Sequence, residues 1–331
     1  MKKILGLVKG NPILSVAMVG IVAPLLTKNP YFLQVLFMCV MFAILSSSLN
    51  IAVGLTGLSN LAHATFFGVG AYVAAILSTR FHAPFYATLV AGGLVAMVFG
   101  AILGWPTLRL KGVFLALATT GFGYVMRVVE LNWVSLTSGP MGITAIGAAV
   151  VAGWKLDRIA YIYYGLAILI LSMYLTQRIT KSKIGRALFA VKYDETVAKS
   201  LGINPTLYKV SAYVMSACLA GMAGTVYAHY TSFVSPDSFT VADSTTVLCM
   251  VILGGAGSLV GPVVGAIILT ITPELLRFAQ LYRVVFIGVV MVMGVIARER
   301  NWQGAISNGL KRLFTSSNRK AVEGTGNGGD I

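Results

Sequence analysis

Read for polarity alone, the chain is a series of apolar runs separated by polar breaks. Eight runs reach or approach the roughly 20 residues a helix needs to cross a bilayer core. They are 11–27, 31–53, 58–78, 84–104, 113–129, 159–177, 209–231 and 284–297. A further apolar stretch, 244–271, is too long for one span and is interrupted by GGAGSLVGP. The pattern predicts an all-α, polytopic membrane protein of about 8–10 transmembrane helices, some glycine-interrupted or re-entrant. The first run follows Lys2, Lys3 and Lys9, as a signal peptide's would, but no A-x-A cleavage pattern follows it. It is read as a retained first span. The longest polar stretches are 178–208 and the tail from 298. The expected organisation is one membrane domain over 1–304 and a disordered tail over 305–331, ending in SSNRKAVEGTGNGGDI.

Composition agrees. Hydrophobic residues make up 57% of the 331 positions and charged residues 11%. Soluble domains carry roughly 25% charged residues, so this chain cannot cover a water-facing surface. The net charge of +15 would suit nucleic acid in a soluble protein, but no nucleic-acid-binding signature is present. The basic residues cluster in particular loops, as the positive-inside rule describes. Cys39, Cys218 and Cys249 each stand alone in an apolar run, which supports neither a disulfide framework nor a metal site.

The charges also orient the spans. With the N-terminus inside, alternation puts Lys2, Lys3, Lys9, Arg109, Lys111 and the basic 178–209 segment inside. The loop SFVSPDSFTVAD at 232–243, whose only charges are acidic, falls outside. The basic tail should then be inside too, so 244–271 must cross twice or not at all. Two short spans or a hairpin entering from outside both satisfy this.

The glycine-rich breaks are the most informative segments. GLTGLSNLAHATFFGVGAY at 54–72 and the stretch 254–265 lie in the two halves of the chain. Interrupted helices in such positions point to a solute pathway, because they free backbone groups to solvate a polar cargo. Asn60 and His63 are candidates to line it, with Gly254 and Gly255 in the second break. Thr119 and Thr120 in ALATTGFGY are weaker candidates, since threonine often bonds back to its own helix. Most other glycines are read as helix-packing residues, with GxxxG spacing at Gly100–Gly104 and Gly261–Gly265. Arg127 and Glu130, three apart, read as an ion pair along one helix.

No GxxxxGK[ST] phosphate loop, GxSxG or HExxH occurs, and no carboxylate pair falls within a span. A membrane-embedded enzyme is disfavoured, no catalytic or cofactor-binding residue is assigned, and any ATP chemistry must come from elsewhere. A secondary carrier or channel acting alone remains a different class of answer.

The segment KSKIGRALFAVKYDETVAKSLGINP at 181–205 has its own design. Ile184, Leu188 and Val191 recur as one apolar helix face would. Asp194 stands where it would cap a second short helix, stopped by Gly202 and Pro205. A short amphipathic helix in such a loop lies on a membrane or docks on a partner.

Three stretches carry a family resemblance: SLNIAVGLTGLSNLAHATFFGVGAYVAAIL at 48–77, GVFLALATTGFGYVMRVVELNWVSLTSGPMGI at 112–143, and KIGRALFAVKYDETVAKSLGINPTLYKVSAYVMSACLAGMAGTVYA at 183–228, followed by VILGGAGSLVGPVVGAIIL. Together the chain resembles permease subunits of bacterial ABC importers of the branched-chain amino-acid (Liv) type, in their LivM-like branch. The third stretch is similar to the motif by which importer permeases dock on their ATPases. The resemblance places Gly185, Arg186, Ala198 and Gly202 in that ATPase-coupling loop, with Thr196 where stricter versions have glutamate. It implies import of leucine, isoleucine and valine by alternating access across the bacterial inner membrane, with both termini cytoplasmic. It implies as partners a homologous second permease, two cytoplasmic ATPase subunits and a periplasmic binding protein, which Asp237 and Asp243 of the outer loop would help to meet. Urea or a short amide is the alternative cargo.

Overall fold

The computed structural model describes residues 12–25, 29–107, 110, 112–147, 149–151, 154–275, 288–289 and 292. The lysines before residue 12, Arg109, Lys111, the span 284–297 as a whole and the tail with its boundary at 304 lie outside the described residues.

The apolar runs become helices. Helix α1 (Pro12–Val22) ends in a 3-10 turn, and α2 (Pro30–Thr56) follows. Then come α3 (His63–Phe81), α4 (Phe85–Thr107) and α5 (Val113–Asn132). A one-turn helix α6 (Val134–Thr137) and the two-residue strands β1 (Ile143–Thr144), β2 (Val150–Val151) and β3 (Trp154–Lys155) lead into α7 (Arg158–Lys181). Two short helices, α8 (Lys183–Tyr193) and α9 (Glu195–Ser200), precede α10 (Pro205–Thr231). Strand β4 (Phe233–Val234), α11 (Val241–Gly254) and α12 (Gly261–Leu275) complete the order. Among the described residues, seven helical segments have the length and hydropathy to cross a membrane. They are α2, α3, α4, α5, α7, α10, and α11 together with the turn before it from Pro236. Strand β1 pairs antiparallel with β4, Ile143 opposite Val234, which marks one end of the bundle. The α8–α9 pair marks the other, here the loop end.

Local signals set the helix bounds. Asn29 accepts a bond from the Tyr31 N–H, and Pro30 occupies the first helical position of α2. Its far end closes on Gly57 in the left-handed region, at φ 75°. Asn204 and Pro205 repeat the entry motif on α10.

The core forms where α3, α4 and α10 meet, and small residues make it. A β-carbon on Gly70 would overlap the Gly221 backbone, and one on Gly224 would overlap the Phe67 carbonyl. One on Gly100 would sit 2.7 Å from the Ala217 β-carbon. The GxxxG readings hold: Gly261 and Gly265 of α12 press against the backbone of α11 at Gly254 and Met250. On α5, by contrast, Leu117, Tyr124, Val125 and Val128 are exposed, as lipid-facing or partner-facing side chains would be.

The structure gives 244–271 as two helices joined by a turn. Ser46 of α2 donates to the Pro262 carbonyl at 2.9 Å, and Tyr31 at the other end of α2 donates to Glu274. Helix α12 therefore runs antiparallel along α2. The segment runs toward the loop end as α11, turns at 255–260 beside Asn50 of α2, within the bundle, and returns as α12.

Two expectations are corrected. Arg127 does not pair with Glu130; it reaches across to Asp237 at 2.7 Å, while Glu130 is buried. The 3.6-residue pitch made the local pair geometrically available, but the 3-10 turn at Pro236–Ser238 brings an outside carboxylate to the guanidinium instead. Ile184 does not belong to the buried face of α8: it is half exposed, and Gly185, Ala187, Leu188 and Val191 pack inward.

The close approach of α3 to α10 yields a prediction. Gly224→Leu forces backbone apart and should cost about 1–3 kcal/mol or more, as overpacking does. It should lower the unfolding midpoint of the detergent-purified protein by several degrees. Gly121→Ala, with nothing within 4 Å of the added carbon, should leave that midpoint unchanged.

Candidate functional site

The two glycine-rich breaks sit within the bundle. Helix α2, with 27 residues, is about 40 Å long at 1.5 Å per residue. His63, the first residue of α3, bonds through Nε2 to Ser48 Oγ at 2.9 Å. Ser48 lies eight residues before the end of α2, hence about 12 Å in from the loop end. The span expected over 58–78 thus begins later, at His63, because 57–62 leave helical geometry.

Leaving a helix frees backbone groups, and buried ones must be satisfied by protein. In the first break, Asn60 Oδ1 accepts from the Ala62 N–H at 2.9 Å and from the Tyr213 hydroxyl at 3.0 Å. Thr119 Oγ1 accepts from the Leu61 N–H at 3.2 Å while donating to its own helix at Ala116. Ser244 accepts from the Ala64 N–H at 2.9 Å. In the second break, Asn50 acts as a clamp: Oδ1 accepts from the Gly257 N–H at 2.7 Å, and Nδ2 donates to the Ser258 carbonyl at 2.8 Å.

Asn60, His63 and Thr119 are therefore all buried around the first break. Thr120 does not join them; its hydroxyl only bonds back to Ala116 at 2.8 Å. Gly254 and Gly255 lie in the other break, at the end of α11. Gly254 meets the Gly261 carbonyl closely, and Gly255 takes φ 103° to end the helix. The buried cluster also keeps unused capacity. Asn60 Nδ2 and His63 Nδ1 are buried with no hydrogen-bond partner among the described residues. The Ser48 proton is directed to the Leu45 carbonyl at 3.0 Å. Nε2 is then assigned as the donor of His63 and Nδ1 as a bare acceptor.

Several site residues escaped the sequence reading: Ser48, Asn50, Tyr213, Ser216 and Ser244. Ser216 donates to the Ser48 carbonyl at 2.8 Å, and Ser172 to Ser47 at 3.0 Å. The run SSSLN at 46–50 was the available signal, with four polar residues inside an otherwise apolar span. Tyr213 carried no such signal, sitting among ordinary apolar neighbours.

The 183–204 loop is built as two capped helices. Ser182 accepts from the Gly185 N–H at 3.2 Å, and Asp194 from the N–H groups of Thr196 at 2.7 Å and Val197 at 3.2 Å. Gly185 sits so close to the end of α7 that a β-carbon would overlap the Ile179 carbonyl. Ala198 is buried beneath α9, Arg186 is exposed, and Gly202 takes φ 79°. Two charged contacts tie the loop to the membrane helices. Glu195 pairs with Lys209, which is buried on α10. Lys192 Nζ donates to the Gly54 carbonyl at 2.7 Å, one turn beyond the Asn50 clamp. Among the polar and charged residues on its outer side, three apolar side chains are exposed: Tyr193 at the end of α8, Val197 in α9 and Leu201 just after it, at 88%, 55% and 71%.

At the ribbon end Asp237 is exposed and Asp243 half-buried, and each has a partner. Asp237 pairs with Arg127, and Asp243 completes a capping box with Thr240 at the start of α11.

Comparison with known proteins follows the same lines. The model of the family described as branched-chain amino acid transport system / permease component matches residues 31–295. The chain is 36% identical over 285 residues to the high-affinity branched-chain amino acid transport system permease protein LivM of Salmonella typhimurium, covering 79% of this chain and 67% of that protein. It is 36% identical over 281 residues to LivM of Escherichia coli K12, covering 78% and 66%. The chain thus spans about two thirds of these relatives' length. It is 27% identical over 274 residues to LivH of Escherichia coli K12, the second permease protein so named, covering 74% and 86%. No solved structure matches the chain. With its multi-pass helical bundle and a family match over most of its length, the chain belongs to the permease components of branched-chain amino-acid transport systems.

Proposed function

We propose that this chain is one permease subunit of an ATP-driven importer for leucine, isoleucine and valine in the bacterial inner membrane. A second, homologous permease completes the membrane unit, two cytoplasmic ATPase subunits power it, and a periplasmic binding protein delivers cargo. The observation that carries the ATP-driven reading is the exposure of Tyr193, Val197 and Leu201, at the end of α8, in α9 and just after it, read here as one docking ridge. Three large apolar side chains project from a loop rich in lysine, outside the apolar runs, where water would otherwise meet them. Exposed apolar patches rimmed by polar residues mark interaction sites.

By the positive-inside rule the basic 178–209 segment supports a cytoplasmic loop end, where the ATPases would dock. Motion of the docked ATPases is then delivered to α2 and α10 through Lys192 and Glu195. Gly185 permits the tight α7–α8 junction, Ala198 seats α9, and Gly202 ends it, while exposed Arg186 faces the partner. The substrate assignment draws on the relatives, named for high-affinity branched-chain amino-acid transport. Asn60, His63 and Thr119, with Gly254 and Gly255 in the second break, would border the path that the bundle opens and closes.

Two measurements test this. In cells lacking the gene, uptake of labelled leucine should fall and return on complementation, with unlabelled valine competing and urea not. Leucine uptake indifferent to the gene, with urea uptake dependent on it, would transfer the assignment to the amide alternative. Leu201→Asp places a charge in the ridge without touching the membrane helices. It should reduce co-purification of the ATPase subunits by at least tenfold while the permease remains in the membrane; undiminished co-purification would remove the ridge from the docking surface.

A further inference from the structure

Helices α3 and α11 both begin inside the bundle, and beside their first turns lies a cavity of about 240 Å³. This is below the roughly 300–1,000 Å³ of drug-sized ligand sites and suits a smaller solute. Its two sides differ in chemistry. One wall is a single face of α2: Met38, Met41, Phe42 and Leu45 recur at three- and four-residue spacing. The facing side carries Tyr227, Ser238, Asp237 and Asp243.

The two carboxylates are not equivalent. Asp237 is matched by Arg127 at 2.7 Å. Asp243 is held by Thr240, whose N–H donates to Oδ2 at 2.9 Å and whose hydroxyl donates to the same oxygen at 2.6 Å. No Lys, Arg or His pairs with Asp243 among the described residues. The Asp243 carboxylate, fixed by Thr240 at the N-terminus of α11 and without a cationic side chain on it, thus faces an apolar wall across a cavity toward the ribbon end. Carboxylates in apolar surroundings seek a cation. A solute with an ammonium group next to a short aliphatic chain satisfies both sides.

We infer that this cavity receives the α-amino acid, its ammonium on Asp243 and its branched side chain on the methionine-lined face of α2. The inference deepens the importer reading and rests on it. It also separates the two cargoes: urea has neither an ammonium group nor an aliphatic chain. Methionine side chains adapt to different shapes, so one wall accepts leucine, isoleucine and valine alike. The site lies on the ribbon side of His63 and Asn60, so cargo leaving it toward the loop end meets their unpaired atoms next.

The test uses the whole assembly in proteoliposomes, without binding protein. Cys39, Cys218 and Cys249 are replaced by alanine, and Phe42→Cys supplies one thiol on the cavity wall. L-leucine should slow labelling of that thiol at least fivefold, and 4-methylpentanoate, which lacks the ammonium group, should not. Asp243→Asn keeps an acceptor for the Thr240 N–H but removes the charge, and should raise the protecting leucine concentration at least tenfold. Met38→Trp, which fills the cavity and leaves the cap alone, should do the same. Absent protection, equal protection by 4-methylpentanoate, or protection unmoved by both substitutions would overturn the inference. Leucine uptake with binding protein present is measured in parallel. Uptake without protection refutes the cavity alone, whereas failure of the unsubstituted assembly to take up leucine refutes the importer reading.

Discussion

Backbone that leaves a helix inside a bilayer has no water to bond, so its N–H and C=O groups must be met by protein. This chain breaks its helices twice within the bundle, at 57–62 and 255–260, and much of its buried polarity answers that demand. Asn60, Thr119 and Ser244 serve the first break; Asn50 serves the second through both ends of its amide. The glycines of the second break also bring the backbones of α11 and α12 together, Gly254 against Gly261, on either side of the turn that Asn50 holds. Each buried group left unpaired costs on the order of 1–3 kcal/mol, so the breaks persist because what they make possible is useful to the fold or to its cargo.

The same turn of α2 is where the loop takes hold. Gly54 has no side chain, and one could not be added without striking Asn50 and the Gly257 N–H. Its carbonyl accepts the Lys192 ammonium. One short stretch of helix thus touches the amphipathic loop on one side and the second break on the other. The Glu195–Lys209 pair gives the loop a second anchor on α10, the helix around which the core packs. Burial of Lys209 makes that anchor costly to break, since removing one partner leaves a buried charge alone. The loop is therefore fastened to the membrane helices at two points, Gly54 of α2 and Lys209 of α10.

Much of this was legible in the sequence because it is governed by local rules. Apolar runs gave the spans, Asp194 and Gly202 bracketed α9, and the GxxxG spacings marked real close contacts. Asn60, His63 and Thr119 were found because polar residues in apolar runs are conspicuous. What was missed is non-local. Nothing near residue 50 announces that its amide will clamp a turn over 200 positions later, and Lys192 reads as one more basic loop residue. Arg127 was given the wrong partner because helical spacing shows which neighbours are possible but not which distant carboxylate the fold brings nearer. Asp243 read as an exposed loop acid because its depth depends on α11 beginning inside the bundle, which no window of sequence shows.

The account turns on the loop and the breaks moving as one body through Lys192. The most direct measurement is the number of ATP molecules hydrolysed per leucine transported by the reconstituted assembly, for wild type and for Lys192→Met, which keeps the chain length and removes the ammonium. The account predicts that Lys192→Met binds its ATPases and hydrolyses ATP but moves leucine at least tenfold less per ATP. An unchanged ratio would contradict it, and would leave the Lys192–Gly54 bond as a fastening of the loop with no part in transport.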